Sequence, residues 1–264
     1  MNSMKYKRTI KRRPKVSPIF LLPSMFTLGA MFFGFYAIVQ SVSLHFTQCG
    51  VAIFFAMILD SLDGRVARLT HTASPFGAQL DSLSDMVNFG VAPAMIAFNW
   101  HLHSLGKLGW LIAFIYCACA ALRLARFNTM LENMDKRYFI GLPSPSAAIL
   151  VVGFVYLSHV YKFDGKFALF LGVIITVISA VSMVSNVKFY SFKEYNFGRR
   201  GKFQALIIAL MVLCLFVIYP DLVIYGFFIS YLIVSYVMWV FQIGYKTKDT
   251  TIAIANHTAH LSKK

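Results

Sequence analysis

About eight stretches of near-continuous apolar residues follow one another along this chain, at 18–40, 49–70, 76–99, 108–127, 144–161, 166–184, 203–219 and 221–241. A helix that crosses a bilayer needs ~20 mostly apolar residues in a row. The runs are continuous rather than alternating, which excludes a lipid-facing β-barrel. Of the 264 residues 58% are hydrophobic and 13% charged, against roughly 45–50% and about 25% in soluble domains. One soluble domain cannot hide that much apolar surface, and disorder requires the opposite composition. The expected fold is all-α, a polytopic membrane bundle of about eight transmembrane helices. The expected organisation is a basic N-terminal segment at 1–17, a transmembrane domain at 18–242 and a basic tail at 243–264. Tyr219-Pro220-Asp221 makes a tight hairpin of the last two spans.

The charges orient the bundle. With the N-terminus inside, 22 of the 25 Lys and Arg fall on one side, and Lys107, Lys162 and Lys166 fall on the other. Positive charge concentrates on the cytoplasmic side of membrane proteins, so both termini are expected there. The formal net charge of +15 then belongs to one leaflet, and its partner is anionic lipid rather than nucleic acid. The basic start and following apolar run imitate a signal peptide, but the run is too long and no small-residue cleavage site follows it. A compact chain of this kind fits a bacterial cytoplasmic membrane. Cys49, Cys117, Cys119 and Cys214 have no metal-ligand spacing and read as small buried hydrophobes.

Four of the ten acids, Asp60, Asp63, Asp81 and Asp85, crowd into 26 residues inside or bordering two apolar runs. A carboxylate within a bilayer costs a few kcal/mol at least, which makes such acids functional candidates. Asp60, Asp63, Gly64, Ala67 and Arg68 share one helix face, as do Gly77, Asp81 and Asp85. Pro75 suits a helix start after the break at His71–Ser74. An antiparallel fold at that break sets Asp60 opposite Asp85 and Asp63 opposite Asp81, each ~10–20 Å from the cytoplasmic turn. Such a cluster must be protonated or neutralised by cations. All-oxygen donors favour a hard divalent ion, Mg²⁺ or Mn²⁺. Four carboxylates suit two ions, an arrangement that clamps a phosphoryl group. Gly64 and Gly77 allow a bulky ligand to approach the backbone, and Arg68 can pair with phosphate.

The spacing Asp60-x2-Asp63-Gly64-x2-Ala67-Arg68-x8-Gly77-x3-Asp81-x3-Asp85 resembles in full the signature of the CDP-alcohol phosphatidyltransferases. Within that family the chain is similar to the membrane-embedded members that form phosphatidylserine. The supporting stretches are 22–28, 121–128, 141–145 and 183–186. The resemblance implies a homodimer with a six-helix core and two additional C-terminal helices. It implies transfer of a phosphatidyl group from CDP-diacylglycerol to L-serine, with release of CMP. Asp60, Asp63, Asp81 and Asp85 would hold the metal pair, and Asp85 is similar to the aspartate that acts as general base. Gly64, Ala67, Arg68 and Gly77 would cradle the cytidine diphosphate. One position departs: family members commonly carry Pro-Asn where this chain has Pro23-Ser24, so a contact made by that Asn is shortened or lost.

Arg123 and Arg126, three apart near the inner end of the fourth span, are candidates for the serine carboxylate or a lipid phosphate. They also suit a positive-inside anchor paired with Glu132 or Asp135. Ser144 reads as the N-cap of the fifth helix. Four other readings compete. The glycines can serve helix packing, and Arg65 and Arg68 can pair with neighbouring aspartates. A sister enzyme would use glycerol phosphate or inositol. A cation transporter would use the acids alone and leave the spacing of Gly64, Ala67 and Gly77 without a reason.

Overall fold

The computed structural model describes residues 21–130, 138–190 and 215–261. The segment 1–17, Glu132, Asp135, and most of the span expected at 203–219, with Cys214, lie outside the described residues. Helix α1 (Leu21–Val42) is followed by α2 (Phe46–Leu69), α3 (Pro75–Asp85), a π-helical turn (Met86–Val91) and α4 (Ala92–Trp100). After a 3₁₀ turn (Leu102–Leu105) come α5 (Lys107–Met130), α6 (Ser144–Val160), α7 (Lys166–Val184) and α8 (Pro220–Leu261). The body is helical, as expected. Two three-residue strands add to it: β1 (Tyr138–Ile140) pairs antiparallel with β2 (Lys188–Tyr190), joining the connections that follow α5 and α7.

Among the described residues, four helices are long and apolar enough to cross a membrane: Leu22–Val42, Lys107–Thr129, Lys166–Val184 and Pro220–Phe241. Helix α2 differs because it carries Asp60, Asp63, Arg65 and Arg68, and α6 has only 17 residues. The apolar helices are built for lipid outside and close packing inside. Along α1, Met25, Leu28, Phe32, Phe35, Val39 and Val42 are exposed, alternately three and four residues apart. Thr27, Ala30, Ala37 and Ser41 fill the opposite face and are buried. Small residues let membrane helices approach one another closely. One core joins Ala37, Cys49, Ile53, Ala92, Ile96 and Val152. A second joins Ala113, Tyr116, Ala120, Ala147, Val151 and Ala180.

The span expected at 76–99 is interrupted by the π-helical turn immediately after Asp85. Its cause lies in the sequence. Pro93 has no N–H to offer the Phe89 carbonyl one turn back, and the fully buried Tyr116 hydroxyl donates to that oxygen instead, at 3.1 Å. The turn widens where an α-helix would be short of a bond. Gly34 meets it across α1: a Cβ at Gly34 would lie 2.0 Å from Asn88 Oδ1. Close contact of α1 with the acid-bearing α3 run therefore requires glycine there.

Candidate functional site

Asp60 and Asp63 stand nearly one turn apart on α2, and Asp81 and Asp85 one turn apart on α3. The chain reverses between them. Thr72 N–H closes the end of α2 on the Ala67 carbonyl at 3.0 Å. Ser74 then caps α3, its Oγ accepting from Gly77 N–H at 3.1 Å with Pro75 in the first turn. Both α2 and α3 pack against α1. The reversal brings carboxylate oxygens of Asp60, Asp63 and Asp81 within 4.8 Å of one another. Asp85 stands one turn deeper along α3, its carboxyl beside that of Asp60. The antiparallel pairing expected from the spacing is thus present both for Asp60 with Asp85 and for Asp63 with Asp81, and three of the four acids make one tight group.

The polar surroundings of this group are sparse. Among the described residues, no Lys or Arg nitrogen lies within 4.0 Å of any of the four carboxylates, and the sole ion pair is His101–Asp164, elsewhere, at 3.6 Å. Arg65 and Arg68 therefore do not pair with the aspartates. Asp63 is buried, and its Oδ2 accepts from Thr27 Oγ1 at 2.7 Å. Asp60 Oδ1 and Asp85 Oδ1 are buried with no hydrogen-bond partner among the described residues. Buried polar oxygens without partners are rare and call for an explanation such as a bound ion. Converging carboxylates, partly dehydrated and with no Lys or Arg paired to them among the described residues, fit a divalent cation as a donor set of hard oxygens.

A pocket of about 220 Å³ opens against this group, lined by Asp63, Asp81, Gly64, Ala67, Arg68 and Gly77 among others. It contains every non-acidic residue of the spacing pattern. A Cβ at Gly64 would meet nothing nearer than Arg68 Nη1 at 3.9 Å, and one at Gly77 nothing nearer than Ser74 Oγ at 3.3 Å. Neither glycine packs on another helix; both face the pocket. Arg68 is exposed beside Gly64, free of any carboxylate partner among the described residues. Pro23 and Ser24 contribute to the same wall from α1, so the position that departs from the family pattern borders the pocket.

The two arginines of α5 separate. Arg123 donates to Ser144 Oγ, lies with its guanidinium 5.9 Å from the Phe127 ring centre, and feels the charges of Asp85 and Asp60. Arg126 faces the end of α7, donating to the Val184 carbonyl at 3.2 Å and to Asn186 Oδ1 at 2.8 Å. Ser144 is the first residue of α6, with Pro143 at the cap, so the capping role expected for it is corrected. Its side chain serves Arg123 instead. Gly141 takes φ +83°, and a Cβ there would lie 2.4 Å from the Met183 carbonyl oxygen. Gly141 and Leu142 N–H donate to the Val187 and Ser182 carbonyls, both at 2.9 Å. The stretches 121–128, 141–145 and 183–186 thereby meet at one end of α5.

Sequence reasoning missed Thr27, Ser84 and Asn88. Ser84 Oγ donates to the Thr27 carbonyl at 3.1 Å, and Asn88 Nδ2 donates to Ser84 Oγ at 3.1 Å. The available signal was three polar side chains on apolar runs, two of them four residues apart on the helix that carries Asp81 and Asp85.

A family model described as CDP-alcohol phosphatidyltransferase matches residues 20–184. The chain is similar to the CDP-diacylglycerol–serine O-phosphatidyltransferase of Helicobacter pylori strain J99, with 38% identity over 228 residues, 86% of this chain and 94% of the relative. It is similar to the enzyme of the same name in Bacillus subtilis strain 168, with 36% identity over 174 residues, 66% of this chain and 92% of the relative. To that of Methanocaldococcus jannaschii it has 43% identity over 137 residues, 52% of this chain and 61% of the relative.

Proposed function

The chain belongs to the CDP-alcohol phosphatidyltransferase family, and we propose that as a member of it the protein transfers the phosphatidyl group of CDP-diacylglycerol to the hydroxyl of L-serine, releasing CMP. The observation that carries this reading is the meeting of Asp60, Asp63 and Asp81, two of which, Asp63 and Asp81, line one pocket with Gly64, Ala67, Arg68 and Gly77. The choice of serine is supported by the names of the relatives.

In this reading the nucleotide pyrophosphate enters the pocket against Gly64 and Gly77, where the absence of side chains admits it close to the backbone. Arg68 pairs with a phosphate oxygen at the rim, a charge-assisted contact of the kind guanidinium groups make best. Asp60, Asp63, Asp81 and Asp85 would hold two divalent cations, Mg²⁺ or Mn²⁺. When bound, such ions neutralise the pyrophosphate oxygens and stabilise the charge on departing CMP. Asp85 accepts the proton of the serine hydroxyl as its oxygen bonds to the lipid-side phosphorus and the bond to the CMP oxygen breaks. A carboxylate near the reacting hydroxyl is the general base such a weak nucleophile needs. Arg123, close to Asp85 and Asp60 and held by Ser144, receives the serine carboxylate. Arg126 holds the α5–α7 contact, since Val184 and Asn186 already take two of its N–H groups. The pocket opens to the cytoplasm, so acyl chains stay in lipid while serine enters from water.

One experiment decides the acceptor. Membranes containing the protein, supplied with Mn²⁺ and CDP-diacylglycerol, are expected to release CMP and form phosphatidylserine with serine. Glycerol phosphate and inositol are expected to give less than about a tenth of that rate, the scale of discrimination that a few mismatched polar contacts supply. Equal or faster CMP release with either would overturn the serine assignment while leaving the family chemistry intact.

A further inference from the structure

Helix α1 carries none of the acids, yet it touches both helices that do. Thr27 lies at the centre of this contact and is buried. Its Oγ1 reaches two acceptors, Asp63 Oδ2 at 2.7 Å and the Pro23 carbonyl one turn back at 3.1 Å. A hydroxyl has one proton to give, and the shorter, charge-assisted bond to a carboxylate is the stronger. With Oδ2 held on Thr27, the Asp63 carboxylate is fixed in orientation where it meets Asp60 and Asp81.

The same residue is tied to α3 through its backbone. Buried Ser84, between Asp81 and Asp85, donates to the Thr27 carbonyl at 3.1 Å. Buried Asn88, in the π-helical turn, donates to Ser84 Oγ at 3.1 Å, which leaves Ser84's own proton for Thr27. Asn88 in turn stands against Gly34, where a Cβ would lie 2.0 Å from Oδ1. Thr27 and Gly34 are two turns apart on one face of α1. One face of α1 is therefore keyed to Asp63 on α2 by a side chain and to the Asp81–Asp85 segment of α3 by a chain of two hydrogen bonds.

We propose that Thr27, backed by Ser84 and Asn88, is a positioning residue that sets the distance and orientation of Asp63 relative to Asp81 and so determines the divalent-cation affinity of the site. This inference rests on the metal-holding reading above and adds a residue outside the acidic signature. Partners that orient a metal-binding carboxylate commonly change affinity about 10–100-fold when removed.

The test reads metal binding without turnover. Purified protein in detergent is titrated with Mn²⁺ alone, free ion being followed by its electron paramagnetic resonance signal. Thr27→Val, which keeps the shape and loses the hydroxyl, is expected to weaken Mn²⁺ binding about tenfold. Thr27→Ser, which restores the hydroxyl, is expected to return it to within about threefold of the parent. Ser84→Ala, which leaves the Thr27 hydroxyl in place, is expected to weaken it about threefold, and it decides the matter alone if Thr27→Val does not fold. Parent-like binding by Thr27→Val and Ser84→Ala, or failure of Thr27→Ser to restore binding, overturns the inference while the metal site stands. A parent protein that binds no Mn²⁺ overturns the metal reading itself and this inference with it.

Discussion

Replacing Asp85 by Asn is expected to lower CMP release by about a thousandfold, within the range of a lost general base, while the protein stays monodisperse in detergent and unfolds at an unchanged temperature. The substitution preserves shape and removes the negative charge. Asp85 Oδ1 is buried with no hydrogen-bond partner among the described residues, so no native bond at that oxygen is lost and the fold has little reason to weaken. An amide cannot take the proton of the incoming hydroxyl, and it is a poor ligand for a hard cation. Structural and chemical roles therefore predict different outcomes at this residue. Release of CMP, measured beside a melting curve, separates them. Turnover near that of the parent would remove Asp85 from the reaction.

Gly64→Leu is expected to cut kcat/KM for CDP-diacylglycerol about a hundredfold, equivalent to roughly 2.7 kcal/mol of transition-state stabilisation, with Mn²⁺ binding and melting temperature retained. A helix-packing glycine would behave in the opposite way: the larger side chain would strain the core, typically by about 1–3 kcal/mol, and lower the melting temperature. The geometry favours the first outcome. A Cβ at Gly64 has only Arg68 Nη1 within 4 Å, at 3.9 Å, and the residue lines the pocket beside Asp63. Gly34 is the internal contrast. There a Cβ would lie 2.0 Å from Asn88 Oδ1, so it is the glycine on which helix contact depends.

The same contrast separates what spacing encodes from what it leaves open. Acids separated by three or four residues must share a helix face, and one Pro-marked break between two such runs leaves a single way to bring the faces together. That is why Asp60 beside Asp85, and Gly64, Ala67, Arg68 and Gly77 around one pocket, are legible from the spacing of the residues alone. Local rules also give Pro75 its place at the start of α3. Contacts across helices are less accessible. Thr27, Ser84 and Asn88 read individually as tolerable polar residues in apolar runs; their linkage depends on the rotation of α1, which the exposed Met25–Phe32–Val39 stripe fixes only approximately.

Two departures have identifiable causes. The third run looks like one uniform helix because periodicity is insensitive to a single widened turn. Pro93 is the visible mark of it, but the Tyr116 hydroxyl that makes the widening tolerable comes from α5. Ser144 carries the chemistry of a helix cap, yet Pro143 occupies that position and Arg123 claims the hydroxyl. Arg123 and Arg126 look equivalent by spacing. Three residues on a helix are about 300° of rotation, enough to turn one toward Ser144 and the aspartates and the other toward Asn186.

The whole functional reading depends on the proposal that the aspartates of α2 and α3 jointly hold divalent cations beside the pocket. It is tested most directly by determining the structure of the Mn²⁺-loaded protein with anomalous scattering at the manganese edge. Anomalous density is expected among the carboxylates of Asp60, Asp63 and Asp81, with Asp85 adjoining it. Anomalous density confined to other residues, or none between these oxygens at saturating Mn²⁺, would contradict the account.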